Sequence, residues 1–203
     1  ELEIILKKVI VIFRLIQGKD VFEAFYRKDL AKRLIFGKST NQDEEHSIIS
    51  KLKSECGEGF TATIEGMFKD INVSRDINSS FKLYLTNMYP NMHHTDVSIS
   101  VLTSSFWSSS AHNNFEVILP VELLRYQEIF QKYYALSHGG RKLFWQPNLG
   151  HCILRACFGD KIKELQVSLF QAMILLLFNE SKQLSINEIQ ELTRLAAKDL
   201  ILT

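Results

Sequence analysis

His151 and Cys152 stand side by side with Cys157 five residues on, and one imidazole with two thiols is a donor set that suits zinc. The spacing does not complete a four-ligand site, because the chain has no CxxC, no HxxxH and no second cluster. These residues read instead as part of a core strand. His93-His94 lies in a polar stretch and reads as a surface pair. The serine-rich tract 103–110, around Phe106 and Trp107, lacks the GxSxG turn and the histidine and acid that would activate a hydroxyl. Gly139-Gly140-Arg141-Lys142 has neither P-loop nor dinucleotide spacing and reads as a helix stop. Glu44-Glu45 sits near a helix start, where carboxylates favour the dipole. No segment converges polar groups in a catalytic arrangement, so no catalytic residue, metal ligand or cofactor is assigned.

One charged group carries more weight. Arg27, Lys28, Lys32, Arg33 and Lys38 crowd one stretch in which Asp29 is the offsetting acid. Two readings stand at this point, a solvated face or a surface that attracts an acidic partner.

The elements that would carry these residues follow from periodicity. Asp20 is a good N-cap with Glu23 three residues on, and Val21, Phe22, Phe25, Tyr26, Leu30 and Leu34 recur at three- and four-residue steps, predicting a helix with one buried face. Glu23 to Arg27 and Asp29 to Arg33 are spaced for pairing on the other face. Residues 2–16 are apolar almost all round, predicting a helix packed on several sides, with Gly18 closing it before its neighbour begins. Further helices are expected over 44–55, ended by Cys56-Gly57, over 60–69, and from Ser74 as a cap to about Thr86. Five such segments make a bundle.

Residues 87–95, with Pro90 and two asparagines, form the clearest boundary. Val97, Ile99 and Val101 then alternate with Ser98 and Ser100, the period of a half-buried strand. A second short strand is expected at 115–119 and a helix after Pro120, with Leu123, Leu124, Ile129, Phe130 and Tyr133 inward and His138-Gly139-Gly140 at its end. Residues 143–146, 151–158 and 162–167 read as three strands, 168–178 as a buried helix, Ser185 to Glu188 as a capping box opening another, and 193–203 as the start of a third.

Composition bounds the function. A chain of 203 residues with 46% hydrophobic residues can bury a proper core. The formal charge of +1 argues against a chain devoted to nucleic acid or an anionic membrane. Arg194 and Lys198 alone are thin provision for phosphate neutralisation in the last helices, which leaves a nucleic-acid-binding module as the weaker alternative. The apolar runs 4–16 and 167–178 fall short of the ~20 residues a membrane span needs, and no signal peptide opens the chain. Three cysteines, an odd number, suit reduced thiols in the cytoplasm or nucleus.

The wording around the basic group is particular. Phe22, Tyr26, Leu30, Ala31, Lys32, Arg33 and Leu34 fit F-x-x-x-Y-x-x-x-L-A-K-R-L, and Ser50, Lys51, Leu52, Lys53, Cys56, Gly57, Phe60 and Thr61 fit S-K-L-K-x-x-C-G-x-x-[FY]-T. In these motifs the chain resembles the cullins, the scaffolds of multisubunit ubiquitin ligases. EGMFKD at 65–70, LPVEL at 119–123, RKLFW at 141–145 and QVSLF at 166–170 agree, and GKDVFEAFY, EGMFKD and QVSLF are similar to the cullin-four class. The chain departs from the pattern at Ser108, where proline normally follows the tryptophan.

The resemblance implies an α+β, mainly helical fold: a helical bundle over 1–88, an α/β subdomain over 89–167 and part of a first winged-helix unit over 168–203. It implies a non-catalytic scaffold without cofactor, whose α/β part receives an extended segment of a small RING-finger protein as an added strand. Val97, Ile99, Val101, Leu143, Trp145, Ile153 and Leu154 are the residues expected to form that receptor. A ubiquitin-conjugating enzyme would then come through the RING protein, its acidic tail meeting Lys28, Lys32 and Arg33. A substrate adaptor would bind the N-terminal helical repeats of such a scaffold, and the resemblance implies that those repeats and the terminal winged-helix unit with its modified lysine are missing here.

Overall fold

The computed structural model describes residues 2–37, 42–90, 92, 95–107 and 116–203. The chain forms two compact units, Glu1–Ser110 and Ala111–Thr203.

The first unit is built on four helices, α1 (Leu2–Arg14), α2 (Lys19–Ile35), α3 (Gln42–Cys56) and α4 (Glu58–Met88). Its core joins Leu30 and Leu34 of α2, Ile49 of α3, Ile64, Met67, Phe68 and Ile71 of α4, and Trp107 beyond them. As expected, α1 and α2 are neighbours, with the rings of Phe13 and Phe22 at 5.0 Å. Arg14 also grips Glu55 of α3 with two hydrogen bonds, of 2.7 and 2.5 Å. The expectation that α1 is packed on several sides is corrected: Leu6 and Phe13 are buried, while Ile4, Ile5, Val11 and Ile12 are exposed, since its neighbours in this unit meet one stripe. The buried face of α2 is likewise narrower than its pattern, with Val21 and Phe25 exposed. Its N-cap is Gly18 rather than Asp20, which lies in the first turn, where its charge still favours the dipole.

The two helices expected over 60–69 and from Ser74 are one helix of 31 residues. Ser74 reads as a new cap, yet it does not break the helix, because its side chain bonds outside it, to Val101. Gly57, at φ 85°, makes the sharp junction between α3 and α4 in a region open to glycine.

The second unit runs α5 (Val121–Ser137), a short 3-10 turn (Pro147–Leu149), β1 (His151–Phe158), β2 (Lys161–Ser168), α6 (Leu169–Leu177), α7 (Ile186–Thr193) and α8 (Ala197–Leu202). Leu119, Phe170, Met173 and Leu195 form one core cluster. Two of the three expected strands exist. Residues 143–146 pair with no strand among the described residues; Trp145 instead packs edge-on to Phe130 of α5, with centroids 6.0 Å apart. Residues 116–119 are not a strand either: the Ile118 N–H donates to the Thr193 carbonyl at 2.9 Å and Leu119 is buried. Phe115 lies outside the described residues.

β1 and β2 form an antiparallel hairpin in which Ile153 faces Gln166, Leu154 faces Leu165 and Arg155 faces Glu164. Gly159, at φ 59°, supplies the positive φ that the first position of a two-residue II′ turn requires. Ser168 ends β2 and opens α6, its hydroxyl accepting from the Gln171 N–H while Gln171 reaches back to the Ser168 N–H. Ser185 and Glu188 make the same reciprocal cap on α7, as the sequence predicts.

Candidate functional site

Val97, Ile99 and Val101 do not form a strand with the hairpin. They lie in the first unit, in an extended segment tied along α4 by side chains. Asn78 donates through Nδ2 to the Ile99 carbonyl at 2.8 Å and accepts through Oδ1 from the Ile99 N–H at 2.8 Å. Ser74 does the same for Val101, its hydroxyl donating to the carbonyl at 3.1 Å and accepting from the N–H at 2.9 Å. Asp70 accepts from the Thr103 N–H at 2.7 Å and the Thr103 hydroxyl at 2.9 Å, and Lys82 reaches Asp96 at 2.7 Å.

The register has a simple origin. Four residues of helix rise ~6 Å, and two residues of extended chain ~6.6 Å. Side chains at every fourth position of α4 therefore meet every second residue of the antiparallel segment. Asp70 also accepts from the indole N–H of Trp107 at 2.8 Å, which pins the segment's end into the core. Alternation of the extended backbone turns the N–H and C=O groups of Ser98, Ser100 and Leu102 to the opposite edge. Among the described residues those groups have no hydrogen-bond partner.

The other four expected receptor residues belong to the second unit. Leu143 and Trp145 are half-buried, and Trp145 packs against Phe130 of α5. Ile153 and Leu154, adjacent on β1, point to opposite faces: Ile153 is 65% exposed, and Leu154 is half-buried against Leu165. Neither edge of the hairpin carries a third strand among the described residues. Ile153 and Ile162 are exposed on the face they share with Arg155 and Glu164, and Phe158 is exposed at the end of the other face.

The basic face divides in two. Arg33 donates through Nε to Glu45 at 2.9 Å, and the Tyr26 hydroxyl donates to the same carboxylate at 2.9 Å. Glu45 is buried, so this triad locks α2 onto α3. Burial, and then the Glu45 charge, push the Tyr26 hydroxyl well above the usual tyrosine range, which keeps it a donor. Arg27 pairs with Glu23 at 3.2 Å. Lys28 and Lys32 are exposed and have no ion-pair partner among the described residues, while Lys38 lies outside them.

Period two separates the His151 and Cys152 side chains to opposite faces of β1. Cys157 shares the His151 face but lies six residues along, ~20 Å away, too far to meet at one ion. Burial raises the Cys152 thiol above its ordinary value, so it stays protonated and unreactive. Among the described residues no three His, Cys, Asp or Glu side chains are grouped to hold a metal, and no helix is long and apolar enough to cross a membrane. Gly140, at φ 83°, makes a turn after α5. Arg194 occupies the left-handed position that ends α7, at φ 54°. His93, His94 and the serine tract from Ser108 onward lie outside the described residues.

Sequence reasoning missed Asp70, Ser74 and Asn78. Their signal was present as polar residues at i, i+4 and i+8, a single helical stripe continued by Lys82. It is visible only once 58–88 is taken as one helix.

Comparison with known proteins agrees with this architecture. Residues 1–78 match the family profile described as the Cullin alpha solenoid domain, and residues 101–203 match the Cullin alpha+beta domain. Cullin-4A of Mus musculus is 48% identical over 200 residues, covering 98% of this chain and 26% of that protein. Cullin-4 of Dictyostelium discoideum is 50% identical over 203 residues, covering 98% of this chain and 25% of that protein. Cullin-3 of the same organism is 45% identical over 200 residues, with 98% and 26% covered. The chain thus spans about a quarter of the length of the curated relatives it matches.

Proposed function

The chain belongs to the cullin family, and on that premise we propose that it is a scaffold segment of a multisubunit ubiquitin ligase that docks a small RING-finger protein by strand addition. The observation that carries this reading is the 97–101 segment, bonded along one edge to α4 and unpaired along the other. An extended peptide on the free edge gains main-chain hydrogen bonds, and apolar side chains beside it supply area at ~25 cal/mol per Å². Leu143, Trp145, Ile153 and Leu154 are proposed as further apolar contacts in the second unit.

In this reading the chain contributes geometry and not chemistry. Ubiquitin transfer belongs to the conjugating enzyme held by the RING, and tethering raises the effective concentration of donor and substrate. Lys28 and Lys32 are the cations free to attract an acidic tail, with Arg33 already engaged by Glu45. The longer protein would reach substrates through an adaptor and would work in cytoplasm and nucleus.

Coexpression tests the reading. A small RING-finger protein should copurify stoichiometrically with this chain, and deleting its extended N-terminal segment should abolish capture. A complete RING-finger protein that does not copurify overturns the reading.

A further inference from the structure

We propose that Ser74 and Asn78 are positioning residues: by saturating one edge of the 97–101 segment they confine strand addition to the other edge, at Ser98, Ser100 and Leu102. The inference rests on the reading above, in which the incoming chain is an extended segment of a RING-finger protein. Each of the two side chains exchanges both an N–H and a C=O bond with a single residue, Asn78 with Ile99 and Ser74 with Val101. That is the bonding of a hydrogen-bonded pair in an antiparallel sheet, supplied here by helix side chains. An isolated extended segment would offer either edge to an incoming strand. This one offers a single edge, because the α4-facing groups are already satisfied.

The same arrangement fixes what the incoming strand looks like. Val97, Ile99 and Val101 are half-buried and Ser98 and Ser100 exposed, so the two faces of the segment differ. Directly opposed residues share a face, so a fitting strand puts apolar residues beside Val97, Ile99 and Val101 and polar or small ones beside Ser98 and Ser100. A slip of one residue would reverse every side chain. The ligand is therefore an alternating segment of about five residues, read through its backbone and one apolar face.

Residue-resolved amide exchange on the whole chain, free and bound to the RING-finger protein, tests this. In the free chain the Ile99, Val101 and Thr103 amides should exchange slowly and those of Ser98, Ser100 and Leu102 fast; binding should protect the second set. Ser100→Pro removes an outward N–H and leaves the bonds to α4 intact, so affinity should fall at least tenfold with an unchanged melting temperature. The Ser74→Ala/Asn78→Ala double variant should lose affinity and the alternating protection together, and Ser74→Thr, which keeps the hydroxyl, should retain both. Should the double variant not fold, Ser100→Pro and the wild-type exchange pattern remain decisive. Unchanged affinity in Ser100→Pro, or binding-induced protection spread evenly over 97–102, overturns the proposal while leaving RING capture standing. A wild type that captures no RING-finger protein overturns the reading beneath it as well.

Discussion

The 95–103 segment and the β1–β2 hairpin are both extended chain, but they are held in different ways. Backbone bonds between neighbours in sequence, closed by Gly159, hold the hairpin. The segment is held by Asp70, Ser74 and Asn78, side chains more than 20 residues away on a helix. A hairpin carries its own partner, so its conformation is local. The segment borrows a partner, so its conformation depends on α4 being continuous and on Trp107 being anchored.

Removing that anchor should have the largest effect. Trp107 is 4% exposed, packs in the first unit's core and donates to Asp70, so Trp107→Ala should cost about 3–5 kcal/mol in denaturant unfolding. Ile153→Ala on the hairpin's outer face, where the side chain is 65% exposed, should stay within about 0.5 kcal/mol. Equal effects would mean that the segment is no more dependent on remote contacts than the hairpin.

The basic face gives the next contrast. Arg33→Ala leaves the buried Glu45 with Tyr26 as its remaining hydrogen-bond donor and should cost about 1–3 kcal/mol. Lys28→Glu/Lys32→Glu should leave stability within about 0.5 kcal/mol and slow association of an acidic-tailed conjugating enzyme by ~10-fold at low salt, a difference that shrinks as salt rises. Thermal melts and stopped-flow association at two ionic strengths read both effects.

Two glycines sharpen the comparison because one substitution acts on each by a different route. A Cβ on Gly66 of α4 would come within 2.7 Å of the Phe106 ring, so Gly66→Ala should cost about 1–2 kcal/mol net of its better helix propensity. Gly159→Ala meets no neighbour and should cost a similar ~1–2 kcal/mol from its positive φ alone. Asparagine tolerates that φ, so Gly159→Asn should recover much of the loss while Gly66→Asn should not.

The smallest effect is in acid. The Arg14 hydrogen bond holds the Glu55 carboxyl below its ordinary value of 4.5, and the Ser185 hydroxyl and N–H do the same for Glu188. A carboxyl depressed in the folded state stabilises it fully above the ordinary value, and that contribution is lost as pH falls through the lowered one. Melting temperature should therefore drop from about pH 5 downward, and Glu55→Gln and Glu188→Gln should each flatten the drop. An unchanged acid limb in both would mean that neither bond survives in solution.

What the sequence determined by itself is what local physics writes. The α7 capping box at Ser185, the α5 stop at His138, the paired strands 151–158 and 162–167 and the α1–α2 neighbourhood were all legible, because each rests on residues adjacent in the chain or one helical turn apart. The basic cluster was legible as a cluster but not as a division of labour, since nothing beside Arg33 announces that Glu45 will cross from another helix to take it. Ser74 shows the limit most clearly. Its sequence context reads as a helix cap, and alternation at Val97, Ile99 and Val101 reads as a strand, because local propensity assigns every hydrogen-bonding group to its own neighbourhood. Tertiary structure reassigned them: once α4 runs unbroken, its polar side chains fall at the repeat of an extended chain, and the bonds expected of a cap and a sheet are made between helix and segment.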